Sequence, residues 1–290
     1  MKPNKPSATA DGAAFIRCVQ QGLPGEDRIL EDPFACDMAG GWFRRLIAQT
    51  ALSRRLLARK LGADIIDHVP ARDRYAQEWA ERAAEEGARQ LLLLGVGYDT
   101  MSYRLARRRV GFRIFEVDHP ATQVQKRARV GRLEREATLD LTDVEVDFEH
   151  DSLIGRLEQA GFDPAVPTLC CWIGVIYYLS ESAVRATLAD LKALLSANSL
   201  LVLEFWPDQK NASGRRPTDQ QAWFQKMGEP LQFGVEPSEM KDLLASYALD
   251  LFDVRTTNEL IRDYVGRDWT ETQPMYMGVA RRREASASAP

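Results

Sequence analysis

Four consecutive leucines that run into a glycine turn constrain this chain more than any other feature. They lie in QLLLLGVGYDTMSYRL, residues 90–105, where Gly95 and Gly97 follow the leucines and a helical pattern begins at once. A strand that is apolar along its whole length is typical of a parallel sheet covered by helices on both faces. The pattern predicts a buried parallel strand that leads to a ligand of the nucleotide type, because glycine lets the backbone approach a ligand closely.

Strand-like runs alternate with helical segments along the rest of the chain. The strands are predicted at residues 91–94, 112–117, 168–173 and 200–205, followed by two edge strands in LDLFDV and PMYMGVARR. Helices are predicted in GWFRRLIAQTALSRRLLARKLG, after Pro70, between the strands and in PSEMKDLLASYA. This alternation predicts an α/β fold with a doubly wound, mostly parallel sheet and an N-terminal helical addition.

Length and composition indicate one domain of a soluble protein. The chain has 290 residues, 28% of them charged, and a net charge of −4, which argues against a general nucleic-acid surface. No uncharged run is long enough to span a bilayer, so no membrane association is expected. Four cysteines without a C-x-x-C pattern favour a reduced, cytoplasmic protein.

We expect a single domain over residues 14–282. It comprises a helical region at 14–88 and the sheet with its covering elements at 89–282, between disordered tails at 1–13 and 283–290. The sequence predicts no metal site, and it does not indicate an oligomeric state.

The glycine turn discriminates between nucleotide-like ligands. A dinucleotide fingerprint G-x-G-x-x-G requires a third glycine where this chain has Thr100, which disfavours NAD. Asp118 follows Gly97 by 21 residues at the end of the second predicted strand. A carboxylate there can accept both ribose hydroxyls, a role shared by sites for NAD and for S-adenosylmethionine. The turn therefore favours a ligand with a ribose and no pyrophosphate.

Several motifs in a fixed order resemble one family. LLLLGVGYDTMSYRL, FEVDHP, VDFEHD, FDPAVPT and GVIYYLSESAV resemble the leucine carboxyl methyltransferase family, in particular its bacterial branch of O-methyltransferases, over about residues 14–282. The resemblance implies a Rossmann-like class I methyltransferase with a seven-stranded sheet. It also implies S-adenosylmethionine as cofactor and a small-molecule acceptor as partner.

The resemblance also implies which residues bind the cofactor. An arginine before the first strand would bind the carboxylate of S-adenosylmethionine, the glycine turn with Asp99 would pass beneath the ligand, and Asp118 would bind the ribose. Asp147 would accept the adenine amino group and the backbone of Phe148 would meet a ring nitrogen. The expected cofactor residues are Arg72, Arg74, Gly95, Gly97, Asp99, Asp118, Asp147 and Phe148.

The acceptor side departs from the family. Tyr178 matches the family tyrosine, but Ile173 stands where the family usually has a Glu, which leaves Glu204 near the fifth strand as a further catalytic candidate. Aromatic residues concentrate in this half of the chain and suggest an apolar acceptor pocket. We therefore expect an O-methyltransferase acting on a hydroxyl or carboxyl of a small, largely apolar metabolite. A protein C-terminal carboxyl methyltransferase and a protein that binds S-adenosylmethionine without transferring methyl remain alternatives, with NAD-dependent oxidoreduction a distant one.

Overall fold

A seven-stranded sheet organises the part of the chain that the computed structural model describes, residues 7–41, 63–130, 139–207, 229–267 and 274–283. Its strands are β1 (Gln90–Leu94), β2 (Arg113–Asp118), β3 (Asp140–Glu145), β4 (Thr168–Trp172), β5 (Leu200–Phe205), β6 (Leu249–Thr256) and β7 (Tyr276–Arg282). The strand order is β3-β2-β1-β4-β5-β7-β6, and β7 runs antiparallel to both of its neighbours while the other adjacent pairs are parallel. The predicted α/β class and mostly parallel sheet are confirmed.

Helices lie before, between and after the strands. They are α1 (Ala8–Gln21), α2 (Ala35–Met38), α3 (Ala63–Glu85), α4 (Met101–Arg107), α5 (Pro120–Val130), α6 (Leu153–Gln159), α7 (Glu181–Leu194), α8 (Pro237–Ser246) and α9 (Thr257–Val265). Helix α3 was expected to begin after Pro70, but it continues through that proline. A proline inside a helix removes one backbone hydrogen bond, so the packing of α3 against the rest of the fold outweighs that loss.

The central strands contribute alternate side chains to two cores. Leu92 and Leu94 of β1 face one core with α6, α7 and α8, whereas Leu91 and Leu93 face the other with α3, α4 and α9. Side chains alternate between the two faces of a strand, so a strand covered on both sides must be apolar throughout. This is the physical basis of the four leucines.

The edges of the sheet differ from the prediction. The strand in PMYMGVARR is internal, since β7 lies between β5 and β6, and the edges are β3 and β6. Apolar runs do not predict strand β3, because DLTDVE is polar and only Val144 is buried in it. An edge strand needs less apolar surface than a central one, which is why its pattern is weak.

The N-terminal region also differs from the prediction. Helix α1 begins at Ala8, with the hydroxyl of Ser7 accepting a hydrogen bond from the N–H of Ala10, so residues 7–13 are not a disordered tail. Cys18 of α1 and Cys36 of α2 form a disulfide, which corrects the expectation of four reduced cysteines, while Cys170 and Cys171 are free and buried. The predicted helix at 41–62 beyond its first residue, the tails at 1–6 and 284–290, and the loop at 208–221 lie outside the described residues.

None of the described helices is both long enough and apolar enough to cross a bilayer.

Candidate functional site

A cavity of about 230 Å³ lies at the carboxyl ends of β1, β2 and β4. Strand β1 is flanked by β2 on one side and β4 on the other, so the chain leaves β1 and β4 in opposite directions. This switch point is where open α/β sheets bind ligands, because neighbouring loops diverge there and leave a crevice. The fold therefore brings the predicted glycine turn to the mouth of the sheet.

The glycine turn lines one wall of this cavity. Gly95 and Gly97 both have left-handed backbone conformations, with φ of +68° and +53°. A Cβ atom on Gly95 would overlap with Cγ2 of Val175 in the loop after β4, so only glycine fits. The N–H groups of Gly95 and Val96 donate to the carbonyl of Val117, at 2.8 and 3.1 Å, which ties the turn to the end of β2.

Asp118, at the end of β2, makes a further contact between β2 and the glycine turn. Its Oδ2 accepts a hydrogen bond from the N–H of Gly97 at 2.6 Å and its Oδ1 accepts from the N–H of His119 at 2.7 Å. Burial raises the pKa of Asp118, against these two bonds, which favour the charged form. Each carboxylate oxygen can accept more than one hydrogen bond, so Asp118 can also receive hydroxyl groups from a ligand.

Three further residues predicted to bind the cofactor line the cavity. Asp147 and Phe148 follow β3, and Oδ1 of Asp147 accepts from the N–H of Glu149 at 3.1 Å. Asp99 accepts from the N–H groups of Thr100 and Met101 at 2.5 and 2.9 Å, and so fixes the start of α4. Burial works to raise the pKa of Asp99, but Arg104 outweighs it and holds that pKa well below its usual range.

The two arginines of α3 lie in different places. Arg72 lines the cavity and is buried, whereas Arg74 does not line it. The Nε of Arg74 donates to Glu78 at 2.9 Å and its guanidinium lies 4.0 Å from the centre of the Tyr264 ring. Residues two positions apart in an α-helix point to different faces, so of these two arginines only Arg72 lies against the cavity. The structure therefore places Arg72, and not Arg74, at the cavity.

Glu204 does not occupy the position expected of a catalytic base. It is fully buried and is not among the cavity residues. Burial alone would raise its pKa, but Arg72 and His68 outweigh burial and lower that pKa to about 2. A carboxylate that is so weakly basic and so completely buried cannot remove a proton from an acceptor near neutral pH. The structure therefore places Glu204 outside the cavity, among buried polar partners.

An aromatic group forms the opposite wall of the cavity. Tyr177 and Tyr178 follow β4, and Tyr177 stacks on Trp206 with ring centres 4.5 Å apart. They pack with Ile16 of α1 and Val69 of α3 in one apolar cluster. Ile173 and Tyr178 line the cavity as well, so the predicted tyrosine is next to the space where a ligand would lie. Burial raises the pKa of Tyr178, which therefore stays protonated near neutral pH.

Helix α1 covers the cavity; the sequence predicted a helical region only from residue 14 and no place for it at the site. Ala10, Ala13, Ile16 and Arg17 all line the cavity. The carboxylate of Glu229 accepts hydrogen bonds from the N–H groups of residues 8 and 9, at 3.1 and 3.3 Å, and also from the Thr9 hydroxyl. A serine before an alanine-rich helical segment is an N-cap signal, and Ser7 was the sign that residues 7–13 fold.

His68 and Asp73 of α3 are further cavity residues that the sequence did not identify. The spacing of four residues places His68 on the same helix face as Arg72, whereas no such spacing links Asp73 to Arg72.

Comparisons with known proteins agree with this geometry. The family model of leucine carboxyl methyltransferase matches residues 10–192. Relatives named "putative S-adenosyl-L-methionine-dependent methyltransferase" occur in Saccharopolyspora erythraea, 31% identical over 62% of this chain and 61% of that protein, and in Streptomyces avermitilis, 32% identical over 70% of each.

Solved structures show the same fold. A putative methyltransferase from Thermobifida fusca aligns with a TM-score of 0.59 and 16% identity over 98% of this chain and 97% of its own. A DUF574 family protein from Streptomyces avermitilis aligns with a TM-score of 0.59 and 15% identity over 96% and 98%. At these identities the likeness establishes the fold alone. The family predicted from the motifs is confirmed by the family model: the chain belongs to the leucine carboxyl methyltransferase family.

Proposed function

We propose that this protein is an S-adenosylmethionine-dependent O-methyltransferase that acts on a hydroxyl or carboxyl of a small, largely apolar molecule. The family and the names of the curated relatives support the methyl transfer. The observation that carries the proposal is the division of the cavity. One wall presents the glycine turn and Asp118, and the other presents Tyr177, Tyr178 and Trp206.

The polar wall suits S-adenosylmethionine. Gly95 leaves space that any side chain would fill, so an adenosyl group can lie against the backbone. Asp118 would hold the ribose hydroxyls, and Asp147 and Phe148 would hold the adenine edge. Arg72 is the cavity arginine that could bind the cofactor carboxylate, since a guanidinium pairs well with a carboxylate. When bound, the cofactor supplies an electrophilic methyl group on a positively charged sulfur.

The apolar wall suits the change in charge that methyl transfer brings about. An ionised oxygen and a sulfonium both lose their charge when the methyl group moves. Ile16, Val69 and Trp206 offer little solvation to ions, and a weakly solvating surrounding favours a reaction in which charge is neutralised. The residues of this wall would act mainly by holding the acceptor oxygen in line with the methyl group.

The predicted catalytic residues bear on the kind of acceptor. Tyr178 keeps its proton because burial raises its pKa, so it would donate a hydrogen bond to the acceptor. Glu204 has its pKa lowered to about 2 and lies behind the wall of the cavity. Neither suits the removal of a proton from an alcohol. A carboxylate acceptor is already ionised near neutral pH and needs no base, so within the proposed class this geometry favours a carboxylate.

Labelled methyl transfer tests the proposal. The purified protein is incubated with S-adenosylmethionine carrying a tritiated methyl group and a cell extract, and the products are separated by size. We expect label in the small-molecule fraction and, if the acceptor is a carboxylate, release of labelled methanol by mild alkali, which cleaves methyl esters and leaves methyl ethers intact. Label in protein would support C-terminal carboxyl methylation instead. Cofactor binding without any labelled product would support the non-transferase alternative, which the unusual Ile173 suggests.

A further inference from the structure

Glu204 is a buried carboxylate that the proposed reaction does not use. It lies at 0% exposure near the end of β5 and receives hydrogen bonds from three separate segments. Its Oε1 meets Nε2 of His68 at 2.6 Å and Nε1 of Trp206 at 3.0 Å. Its Oε2 accepts from Nη1 of Arg72 and from the N–H of Gly174, both at 2.8 Å. A buried carboxylate with this many donors is costly to lose, so its partners are held firmly.

The register of β4 and β5 places Glu204 beside Ile173. Trp172 of β4 pairs with Leu203 of β5 in a parallel register. The next residue along each strand direction is Ile173 after β4 and Glu204 on β5, so these two residues lie beside each other. Ile173 lines the cavity and brings no charge to it. The carboxylate at this position of the sheet comes from the neighbouring strand instead.

Arg72 retains donors that a ligand can use. Its Nη1 is shared between Glu204 and the hydroxyl of Tyr177, at 2.8 and 3.2 Å. Its buried Nε makes no hydrogen bond within the described part of the chain, although it lies 3.4 Å from Asp73. Arg17, the other arginine that lines the cavity, has a buried Nε of the same kind, but its Nη1 and Nη2 already donate to Asp73 and to the carbonyl of Tyr98. Arg72 is thus the better placed of the two to bind an anionic ligand.

The wall of the cavity that the glycine turn lines connects Arg72 with Asp118, the residue proposed to bind the ribose. Gly97 contacts Asp118, and Gly95 abuts Val175. Gly174, next to Val175, lies so close to Arg72 that a Cβ atom there would be 3.1 Å from Nη2. A ligand that extends from Asp118 along these glycines therefore reaches the guanidinium. In S-adenosylmethionine the group at that end is the carboxylate of the methionine part.

We propose that Glu204 is a positioning residue for cofactor binding: it holds Arg72 and the N–H of Gly174 together from β5, so that Arg72 points at the carboxylate of the cofactor. This inference rests on the proposed function, because it takes the ligand to be S-adenosylmethionine. It assigns Glu204 no contact with the cofactor and no proton transfer. The proposal predicts a selective effect on affinity, since only ligands that carry the carboxylate depend on how Arg72 is held.

The test compares two ligands in two variants. S-adenosylhomocysteine carries the carboxylate, and 5′-methylthioadenosine keeps the adenine, ribose and sulfur without the amino-acid part. In Glu204→Gln the negative charge is lost and one oxygen is replaced by an NH2 group, which weakens the hold on Arg72. We expect affinity for S-adenosylhomocysteine to fall about 10-fold or more, with affinity for 5′-methylthioadenosine unchanged. Glu204→Asp, which keeps the charge on a shorter side chain, should show a smaller loss of the same selective kind.

Glu116→Gln is the matched control. Glu116 is also a buried strand glutamate, on β2, and it pairs with Lys126 at 2.5 Å without lining the cavity. Its replacement should lower stability and leave the ratio of the two affinities at the wild-type value. Equal losses for both ligands in the Glu204 variants, or no loss, would overturn the positioning role. Failure of both Glu204 variants to fold would also overturn it, because Glu204 would then serve the core. The proposed function fails separately, if the wild-type protein does not bind S-adenosylhomocysteine.

Discussion

The carboxylate of Asp118 accepts a hydrogen bond from the backbone N–H of Gly97 at 2.6 Å. This bond joins the end of β2 to the turn that follows β1, two adjacent parallel strands. The residue expected to hold the ribose therefore also fixes the turn on which the cofactor would lie. Both positions belong to one preorganised unit, and a change at either should be seen in ligand affinity.

Replacement of Asp118 by alanine is expected to weaken S-adenosylmethionine binding about 10- to 100-fold, because hydrogen bonds to a charged group contribute roughly 1.5 to 3 kcal/mol each. Calorimetric titration measures this directly. Asp143→Ala is a suitable control, since Asp143 lies on the edge strand β3 and pairs with the exposed Arg127 at 3.4 Å. Unchanged affinity in a folded Asp118→Ala protein would remove the ribose role.

Replacement of Gly95 by alanine is expected to reduce both stability and ligand binding. The new Cβ would overlap with Cγ2 of Val175, and a residue other than glycine at φ of +68° costs roughly 1 to 2 kcal/mol. Urea unfolding and calorimetry measure the two effects.

The double variant Gly95→Ala/Val175→Ala separates the causes. Removing the valine methyl groups should recover part of the loss, because it relieves the overlap and leaves the backbone strain. Gly111→Ala, where a Cβ atom meets nothing within 4 Å, should have little effect. A Gly95→Ala protein with wild-type stability and affinity would show that the turn is not closely packed.

Residues that depend on short sequence patterns were predictable. The four leucines, Gly95, Gly97 and Asp118 all follow from local strand and turn chemistry, and the structure places them together at one switch point. The placement of β1 beside β2 is also predictable, because strands that follow each other in sequence are usually neighbours in a sheet.

Contacts between distant segments were not predictable. Glu204 meets His68 and Arg72 across more than 130 positions of sequence, and no local pattern records such a pairing. The same reason explains the prediction of Glu204 as a catalytic candidate: its position near a strand end is visible in sequence, but its partners and its burial are not. The first turn of helix α1 was not predicted because it is polar. Its N-cap Ser7 is a local signal, but the further contact from Glu229 comes from a distant segment.

Replacement of Ile173 by glutamate is expected to leave S-adenosylmethionine affinity within about two-fold of wild type, because Arg72 already has a carboxylate partner in Glu204. The added charge should instead raise the KM of an apolar acceptor, since an unpaired carboxylate in an apolar wall repels it. Ile173→Gln controls for polarity without charge. Clearly tighter cofactor binding in Ile173→Glu would show that Arg72 lacks a sufficient partner in the wild-type protein.

We expect the free energy of unfolding of the wild-type protein to fall in acid, because Glu204 becomes protonated. The pKa of Glu204 falls from 4.5 to about 2 on folding, so the ionised form stabilises the fold, and this contribution is complete above pH 4.5 and is lost as the pH falls towards 2. A shift of this size corresponds to on the order of 3 kcal/mol. The difference in unfolding free energy between wild type and Glu204→Gln should therefore shrink by about this amount between pH 5 and pH 2. A difference that is constant over this range would contradict the charged state assigned to Glu204.

Calorimetric titration of the purified wild-type protein with S-adenosylhomocysteine and with NAD tests most directly whether the cavity at the ends of β1, β2 and β4 is a cofactor site of the methyltransferase kind. The account predicts saturable binding of S-adenosylhomocysteine to one site and no binding of NAD, because Thr100 stands where a dinucleotide turn requires glycine. Saturable binding of NAD together with no heat from S-adenosylhomocysteine would contradict it.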